Sequence, residues 1–200
     1  KRLVDSLGLE CNITEIDDKL LAEITKTEKS EIFNISKAFE NVLLNTKAET
    51  LEEKVRHALT FGAMQKHSEL LDLAKEVEKI KPKTIMEIGT ASGGVFWLLC
   101  QLATDDATMI SLDMEGGPFG GGYTKDDIPR LKIYAKETQQ THFVLADSHS
   151  LETVNTIKGK LGDRQLDILF IDGDHSYEGV KADFENYSQF VRTGGLIVFH

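Results

Sequence analysis

The stretch Lys83-Thr-Ile-Met-Glu87-Ile-Gly89-Thr-Ala91-Ser-Gly93-Gly94-Val95-Phe96-Trp97 decides how this chain folds. An apolar run of strand length meets a glycine-rich turn, and an apolar helical segment begins at about Gly94. A strand passing into a helix is the opening unit of an alternating α/β fold. Glycines at such a turn let the backbone approach its surroundings closely, and the helix start offers unpaired N–H groups.

Outward from that turn the alternation continues to the last residue. Strand-like runs fall at 84–88, 108–112, 142–145, 167–171 and 195–199. Each is nearly continuous in apolar residues, as in strands covered on both faces. Helical segments are expected at 94–103, 126–138, 151–160 and 177–191. In the last of these, Val180, Phe184, Tyr187 and Phe190 form the expected inward stripe. The pattern predicts an α/β fold with a doubly wound, mostly parallel, Rossmann-like sheet and right-handed crossovers. Because the chain ends on its fifth strand, further strands are expected beyond His200.

Before residue 84 the sequence reads as helical. Ile32, Ile35, Phe39, Val42 and Leu43 recur at spacings of three or four, and a second helix is expected over 51–61. A third, over 68–80, places Leu70, Leu71, Ala74, Val77 and Ile80 on one face, with Ser68 as its N-cap. Lys81-Pro82-Lys83 stops it. The expected division is a helical extension, 1–64, and a Rossmann-like domain, 65–200.

The 200 residues, 40% hydrophobic and 28% charged, suit one domain with a buried core. A formal charge of −10 argues against broad nucleic-acid binding, which needs clustered Lys and Arg. The longest apolar stretch, 95–103, is interrupted by Gln101 and too short to span a bilayer. Lys1-Arg-Leu-Val-Asp-Ser6 lacks the apolar core of a secretion signal. Cys11 and Cys100 have no metal-like spacing, so reduced thiols and a cytoplasmic location are expected.

Ligands of such sheets bind beyond the carboxyl ends of the strands. Those ends carry Glu87 with Gly89, Asp113, Asp147, Asp172 and His200. The turn can be parsed as G-x-A-x-x-G, a degenerate dinucleotide fingerprint, or as E-x-G-x-x-x-G. A pyrophosphate wants positive potential, whereas a cofactor carrying an ammonium and a sulfonium wants a carboxylate. Glu87 serves the second need. Expected cofactor contacts are Glu87, Gly89, Thr90, Ser92 and Gly93; the plain alternative is a tight turn without a ligand. Asp113 can accept hydrogen bonds from ribose hydroxyls, or cap a helix. Asp147, supported by Ser148, can accept from an adenine amino group; equally, Asp147, Ser148 or Ser150 can cap the following helix.

Phe170-Ile-Asp172-Gly-Asp174-His175-Ser-Tyr177 places two carboxylates and an imidazole just past a buried strand. Asp172 can serve Mg²⁺, which needs only one or two carboxylates plus water and substrate. His175 can take a proton from a hydroxyl. The plain alternative, a capped helix start, explains Ser176 and Asp174 but not Asp172. His200 is a metal ligand or a rim residue. The loop 116–123 is a lid closing through Phe119 or Tyr123, or a simple connection. His57, His67, His142 and His149 have no partner at useful spacing, and Gln65 and Lys66 lie near the rim.

Together these segments resemble the class I S-adenosylmethionine-dependent methyltransferases, more narrowly the group of cephalosporin hydroxylase and the macrolide and rhamnosyl O-methyltransferases. The matching pieces are the Ile85 to Gly94 turn, Ser111-Leu-Asp113 with its glycine-rich loop, the Phe170 to Tyr177 segment, and Gly194-Gly-Leu-Ile-Val-Phe-His200. They cover about two thirds of the chain. The resemblance implies S-adenosylmethionine at Glu87, Gly89, Asp113 and Asp147. It also implies a divalent metal, usually Mg²⁺, near Asp172 and the fifth strand end, with another carboxylate just after the position of His200. Two further strands would follow. Ala91 stands where these turns usually have a glycine.

The activity expected is metal-assisted O-methylation of a hydroxyl on a sugar or small natural product. Asp172 and His200 would hold the metal, and His175 or Asp174 would accept the proton. The partner is a small molecule, with no nucleic acid or membrane, and the N-terminal helices could pair in a homo-oligomer. Two alternatives stay open: an NAD-dependent oxidoreductase, opposed by Glu87 and by the lack of a Tyr-x-x-x-Lys pair, and a non-catalytic Rossmann-like binding module. For an oxygenase, no non-haem iron triad is visible at useful spacing.

Overall fold

The computed structural model describes Leu44, residues 47–117 and residues 122–200. The helical reading of 32–43, Cys11 and the loop residue Phe119 lie outside the described residues. The elements are α1 (Leu51–Thr60), α2 (His67–Ile80), β1 (Thr84–Ile88), α3 (Gly94–Leu102), β2 (Thr108–Asp113), α4 (Ile128–Tyr134), β3 (Gln140–Leu145), α5 (Leu151–Leu161), β4 (Leu166–Ile171), α6 (Tyr177–Tyr187) and β5 (Val191–Phe199). The five strands form one sheet in the order β3-β2-β1-β4-β5, with every pair parallel. This is the doubly wound architecture that the alternation predicts.

All five residues of β1 are buried, as a central strand covered on both faces requires. Its side chains alternate between two layers. Ile85 joins the layer of Val55, Phe61, Leu70, Phe96, Trp97 and Tyr134 from α1–α4. Met86 and Ile88 join Val154, Ile157 and Tyr187 from α5 and α6. Helix α3 is apolar all round, and every residue but Gln101 is buried, the mark of a helix inside the core. Helix α1 covers it: a β-carbon on Gly94 would collide with the backbone of Ala58 and Ala63. Residues 51–64, expected in the extension, thus pack into the same core as the sheet. The rest of 1–64 lies largely outside the described residues.

Four local expectations are corrected. Helix α2 starts at His67, and its N-cap is Lys66 rather than Ser68; Glu69, three residues on, accepts from the Lys66 N–H at 3.3 Å. The helix expected over 126–138 is a 3₁₀ turn followed by the short α4, which opens with Pro129 in its first turn. Helix α6 ends at Tyr187, and its buried face is Gly179, Asp183 and Tyr187; Phe184 is 41% exposed and packs against Phe199. Strand β5 begins at Val191, so Gly194 and Gly195 lie within it, beside a register shift against β4. Asp167 holds that corner together. Its carboxylate accepts from the N–H groups of Lys83 and Thr84 at 2.6 and 3.0 Å and from Arg192 at 2.5 Å. Among the described residues no helix is long and apolar enough to cross a membrane.

Candidate active site

The sheet order reverses between β1 and β4, so the loops that follow these strands part and leave a crevice. The strand ends are aligned by backbone bonds: Asp172 N–H donates to Ile88 O and Gly89 N–H to Leu112 O, both at 2.9 Å. Gly89 has φ +86°, and a β-carbon there would collide with the Asp172 carbonyl. Glycine is therefore required where the two loops meet. The crevice has a volume of about 290 Å³ and is lined by residues 62–65, the turn after β1, Asp113, Met114, residues 146–149 and residues 172–175.

At the β1–β2 end the polar groups are buried. Glu87 is 1% exposed. Its Oε2 accepts from Thr90 Oγ1 at 2.7 Å, Thr90 Oγ1 lies 2.7 Å from Ser111 Oγ, and Ser111 Oγ donates to the Tyr123 hydroxyl at 3.1 Å. Burial pushes the Glu87 pKa up to about 8; the Thr90 hydroxyl pulls it down, and the charges of Asp172 and Asp113 raise it further. Burial therefore favours the protonated form of Glu87 in the ligand-free protein. Tyr123, for which a lid or a simple connection stayed open, is 3% exposed, with its ring edge-on to Phe143. It anchors the base of the loop in the core.

Asp113 accepts from Ala91 N–H at 2.6 Å through Oδ2 and from Met114 N–H at 2.8 Å through Oδ1. Burial raises its pKa while these N–H groups hold it down. A carboxylate has about four acceptor sites, so capacity for ribose hydroxyls is left. Ala91 delivers its N–H from a left-handed conformation, φ +46°. Asp147 accepts from His149 N–H at 2.9 Å, and the Ser148 carbonyl accepts from the Tyr187 hydroxyl at 2.7 Å. Ser150, not either of these, is the N-cap of α5.

Ser92 and Gly93 do not line the crevice. Ser92 is exposed, touches Gly62 and lends its carbonyl to Arg130, while Gly93 packs against Leu131 and Tyr134. The turn shows only one side to the crevice, and the glycine pattern cannot say which. Glu87, Gly89, Thr90, Asp113, Asp147 and Ser148 are brought together.

At the β4–β5 end, Asp172 is the hub. Its Oδ2 accepts from Gln65 Nε2 at 2.6 Å. Its Oδ1 lies 3.0 Å from His200 Nδ1 and 3.1 Å from His175 Nε2. One ligand atom from each of Asp172, His175 and His200 falls within 4.8 Å of the others. A carboxylate and two imidazoles therefore do converge, against the expectation that no such triad is present; His200 reaches it from a neighbouring strand. Asp174 instead turns toward α6, where it accepts from Ser176 N–H at 2.8 Å. That bond holds its carboxyl below the ordinary range, so it is a poor proton acceptor.

Two residues gain roles that local spacing does not reveal. Gln65, 7% exposed, comes from the link between α1 and α2, and its Oε1 is buried without a partner. His149 lines the crevice with Nε2 3.5 Å from the fully buried Asp183; burial raises the pKa of Asp183. The two are brought together by α6 packing under the β3 loop. His67, in turn, lies 2.9 Å from Glu52.

Residues 86–200 match a family model described as a methyltransferase domain. The chain belongs to this methyltransferase family. Two curated relatives of this methyltransferase-family chain are uncharacterised: y4gI of Sinorhizobium fredii, 30% identical over 62% of the chain, and R132 of Acanthamoeba polyphaga mimivirus, 32% identical over 65%. The chain spans only 14% and 56% of their lengths. Among solved structures, MycE methyltransferase from the mycinamycin biosynthetic pathway, in complex with Mg and SAH, aligns with a TM-score of 0.56 at 18% identity, covering 76% of this chain and 39% of that one. A putative caffeoyl-CoA O-methyltransferase from Staphylococcus aureus gives 0.53 at 18% identity, covering 82% and 71%. An O-methyltransferase from Bacillus cereus in complex with SAH gives 0.51 at 19%, covering 81% and 71%. These likenesses establish a shared fold; the family match is what speaks against the oxidoreductase reading.

Proposed function

We propose that this chain is the catalytic domain of an S-adenosylmethionine-dependent O-methyltransferase acting on a hydroxyl of a sugar or small natural product. One observation carries the reading: a single crevice holds a buried acid, Glu87, and a ribose-type acceptor, Asp113, at one end, and Asp172 with His175 at the other, where His200 meets Asp172 from the end of β5. The neighbours solved with SAH support the cofactor, and MycE, which comes from the mycinamycin biosynthetic pathway, supports a small-molecule acceptor.

When bound, S-adenosylmethionine supplies the electrophilic methyl group. A cation beside Glu87 favours its ionised form, offsetting the burial that keeps it protonated. Asp113 keeps lone pairs for ribose hydroxyls, and Asp147 stands at the next strand end for the base. Asp172 and His200 would hold a divalent cation, which would supply Lewis acidity that lowers the pKa of the acceptor hydroxyl. The acceptor's proton goes to an imidazole of the crevice: His175, or His149 with buried Asp183 behind it. Holding oxygen and methyl carbon in line provides much of the rate, of the order of 7–11 kcal/mol in well-aligned systems. The same proposal includes cytoplasmic action on a small molecule, and pairing of copies through the helices before residue 64.

Calorimetry with S-adenosylhomocysteine and with NAD tests the cofactor. Binding of the first and not the second is expected. Absence of both, with a folded protein, would leave the non-catalytic module standing. Methyl transfer from labelled cofactor to a panel of hydroxylated sugars and macrolides then identifies the acceptor.

A further inference from the structure

We infer that His149, oriented by the buried carboxylate of Asp183, is a specificity-determining residue for the base of the cofactor: with Asp147 it forms a pair of acceptors that selects a 6-amino purine. The inference rests on the cofactor half of the function proposed above. It assigns His149 to that half and leaves His175 to take the acceptor's proton.

Asp183 is the feature that needs explaining. It lies on α6, wholly buried, and among the described residues neither carboxylate oxygen receives a hydrogen bond of good geometry. A buried carboxylate without partners is costly, so its surroundings show what it serves. On α6 itself, Tyr187 feels its charge. From the loop after β4, a β-carbon on Gly173 would stand 3.6 Å from Asp183 Oδ2, and Asp174 adds a like charge. From the loop after β3 come Asp147, a second like charge, the Ser148 hydroxyl, and His149, whose Nε2 lies 3.5 Å from Asp183 Oδ1. Of these neighbours, only the imidazole can carry a positive charge or an N–H to the carboxylate.

That pairing sets the ring. An ionised carboxylate accepts and does not donate, so Nε2 carries the hydrogen that faces Asp183, and Nδ1 is left with a lone pair. The backbone holds the same arrangement: His149 N–H donates to Asp147 Oδ1 at 2.9 Å, and the Ser148 carbonyl accepts from the Tyr187 hydroxyl at 2.7 Å. Nδ1 then stands 3.9 Å from Asp147 Oδ1, too far for a hydrogen bond between the two side chains. Two acceptors lie side by side on the crevice wall. Their complement is a group with two donor hydrogens, one for each, and an exocyclic amino group is such a donor. A carbonyl oxygen in the same place would meet lone pairs on both sides.

Position decides which part of the ligand arrives there. Asp113 pairs in register with Leu145, and its carbonyl accepts from Ala146 N–H at 2.9 Å. The 147–149 segment therefore stands beside the acid that keeps lone pairs for ribose hydroxyls, and the base is what extends past the ribose. Asp147 and His149 both line the crevice. The His149 side chain is 34% exposed and that of Asp183 0%, so one meets the ligand and the other is a positioning residue behind it.

The test compares S-adenosylhomocysteine with its 6-oxo counterpart, S-inosylhomocysteine, by calorimetry on the whole chain. The unmodified protein should favour the amino compound by about 10- to 100-fold. His149→Phe keeps a ring and removes both nitrogens; it should lower that ratio by about 5- to 10-fold. Asp183→Leu should lower it as much while the melting temperature holds or rises, because an apolar group of similar size replaces an unpaired buried charge. Asp183→Asn keeps an acceptor for the ring and should hold the ratio within about threefold of the unmodified protein. Nitrogen-15 spectra should show His149 as the Nε2–H tautomer. An unchanged ratio in His149→Phe, or an Nδ1–H tautomer, would overturn the inference, while binding of S-adenosylhomocysteine would still uphold the cofactor. If Asp183→Leu does not fold, the His149→Phe ratio and the tautomer decide the matter. Failure of both compounds to bind the folded protein would overturn the cofactor reading and this inference together.

Discussion

At the β1–β2 end of the crevice the acids are enclosed. Glu87 is buried behind Thr90, Ser111 and Tyr123, and both oxygens of Asp113 already accept N–H groups. At the β4–β5 end Asp172 shares its oxygens with Gln65 and with two imidazoles that stand half in solvent. The enclosed end is completed by folding, and its cost is visible in the raised proton affinity of Glu87. The open end is three donors pointed at one place. Preorganisation for a cofactor and openness for a changing acceptor call for these two solutions.

The sharpest way to break the comparison is Asp172→Ala. It should lower kcat by roughly a thousandfold or more, about 4 kcal/mol of barrier, while S-adenosylhomocysteine affinity by calorimetry stays within about threefold. Equal loss of both would show that the two ends are not separable. Next is Gly89→Ala, which combines a left-handed φ with a collision at the Asp172 carbonyl. It should cost about 3 kcal/mol of stability in urea unfolding. Retention of wild-type stability would mean that the strand ends can slide apart.

Glu87→Gln probes the enclosed end and should weaken cofactor binding by about 10- to 100-fold, about 1.4–2.8 kcal/mol. It also carries a pH signature. The fold holds the Glu87 proton up to about pH 8, against an ordinary 4.5. Between those values the folded state binds more protons than the unfolded chain, so stability falls as pH rises through that window and levels off above it. The melting temperature of the ligand-free protein should drop from pH 5 to pH 8, and Glu87→Gln should flatten that part of the curve. The smallest effect is Ala91→Gly. It relieves the left-handed alanine and should raise stability by up to about 1 kcal/mol, with Asp113 still bonded to the position 91 N–H. A loss of stability instead would show that the methyl group of Ala91 contributes packing.

The sheet was legible because its strands carry runs of apolar residues and a polar residue stands at or near the end of each; β1 and the acids at 87, 113, 147 and 172 followed directly. The failures have physical reasons. Ser92 and Gly93 belong to the right turn but face α1 and α4, and a glycine tract carries no periodicity that tells its sides apart. Phe184 sits in the apolar stripe of α6 yet is exposed, because Gly179 and Asp183 take the buried face beneath the β4 loop. His149 with Asp183, and the triad of Asp172, His175 and His200, join residues that only the parallel topology brings together. No local pattern marks Gln65 as the partner of Asp172, 107 positions away.

The contact between Gly89 and Asp172 is made by backbone on backbone, and it sets a ruler. One absent carbon fixes the distance from the turn on the donor side to the carboxylate on the acceptor side. Evolution within this scaffold therefore cannot retune reach at the seam itself without undoing the sheet. Accommodation of larger or smaller acceptors falls to the parts that touch the crevice from outside: the 62–65 link with its Gln65, and the chain around β5. Divergence in substrate choice should be sought there, while the seam stays constant.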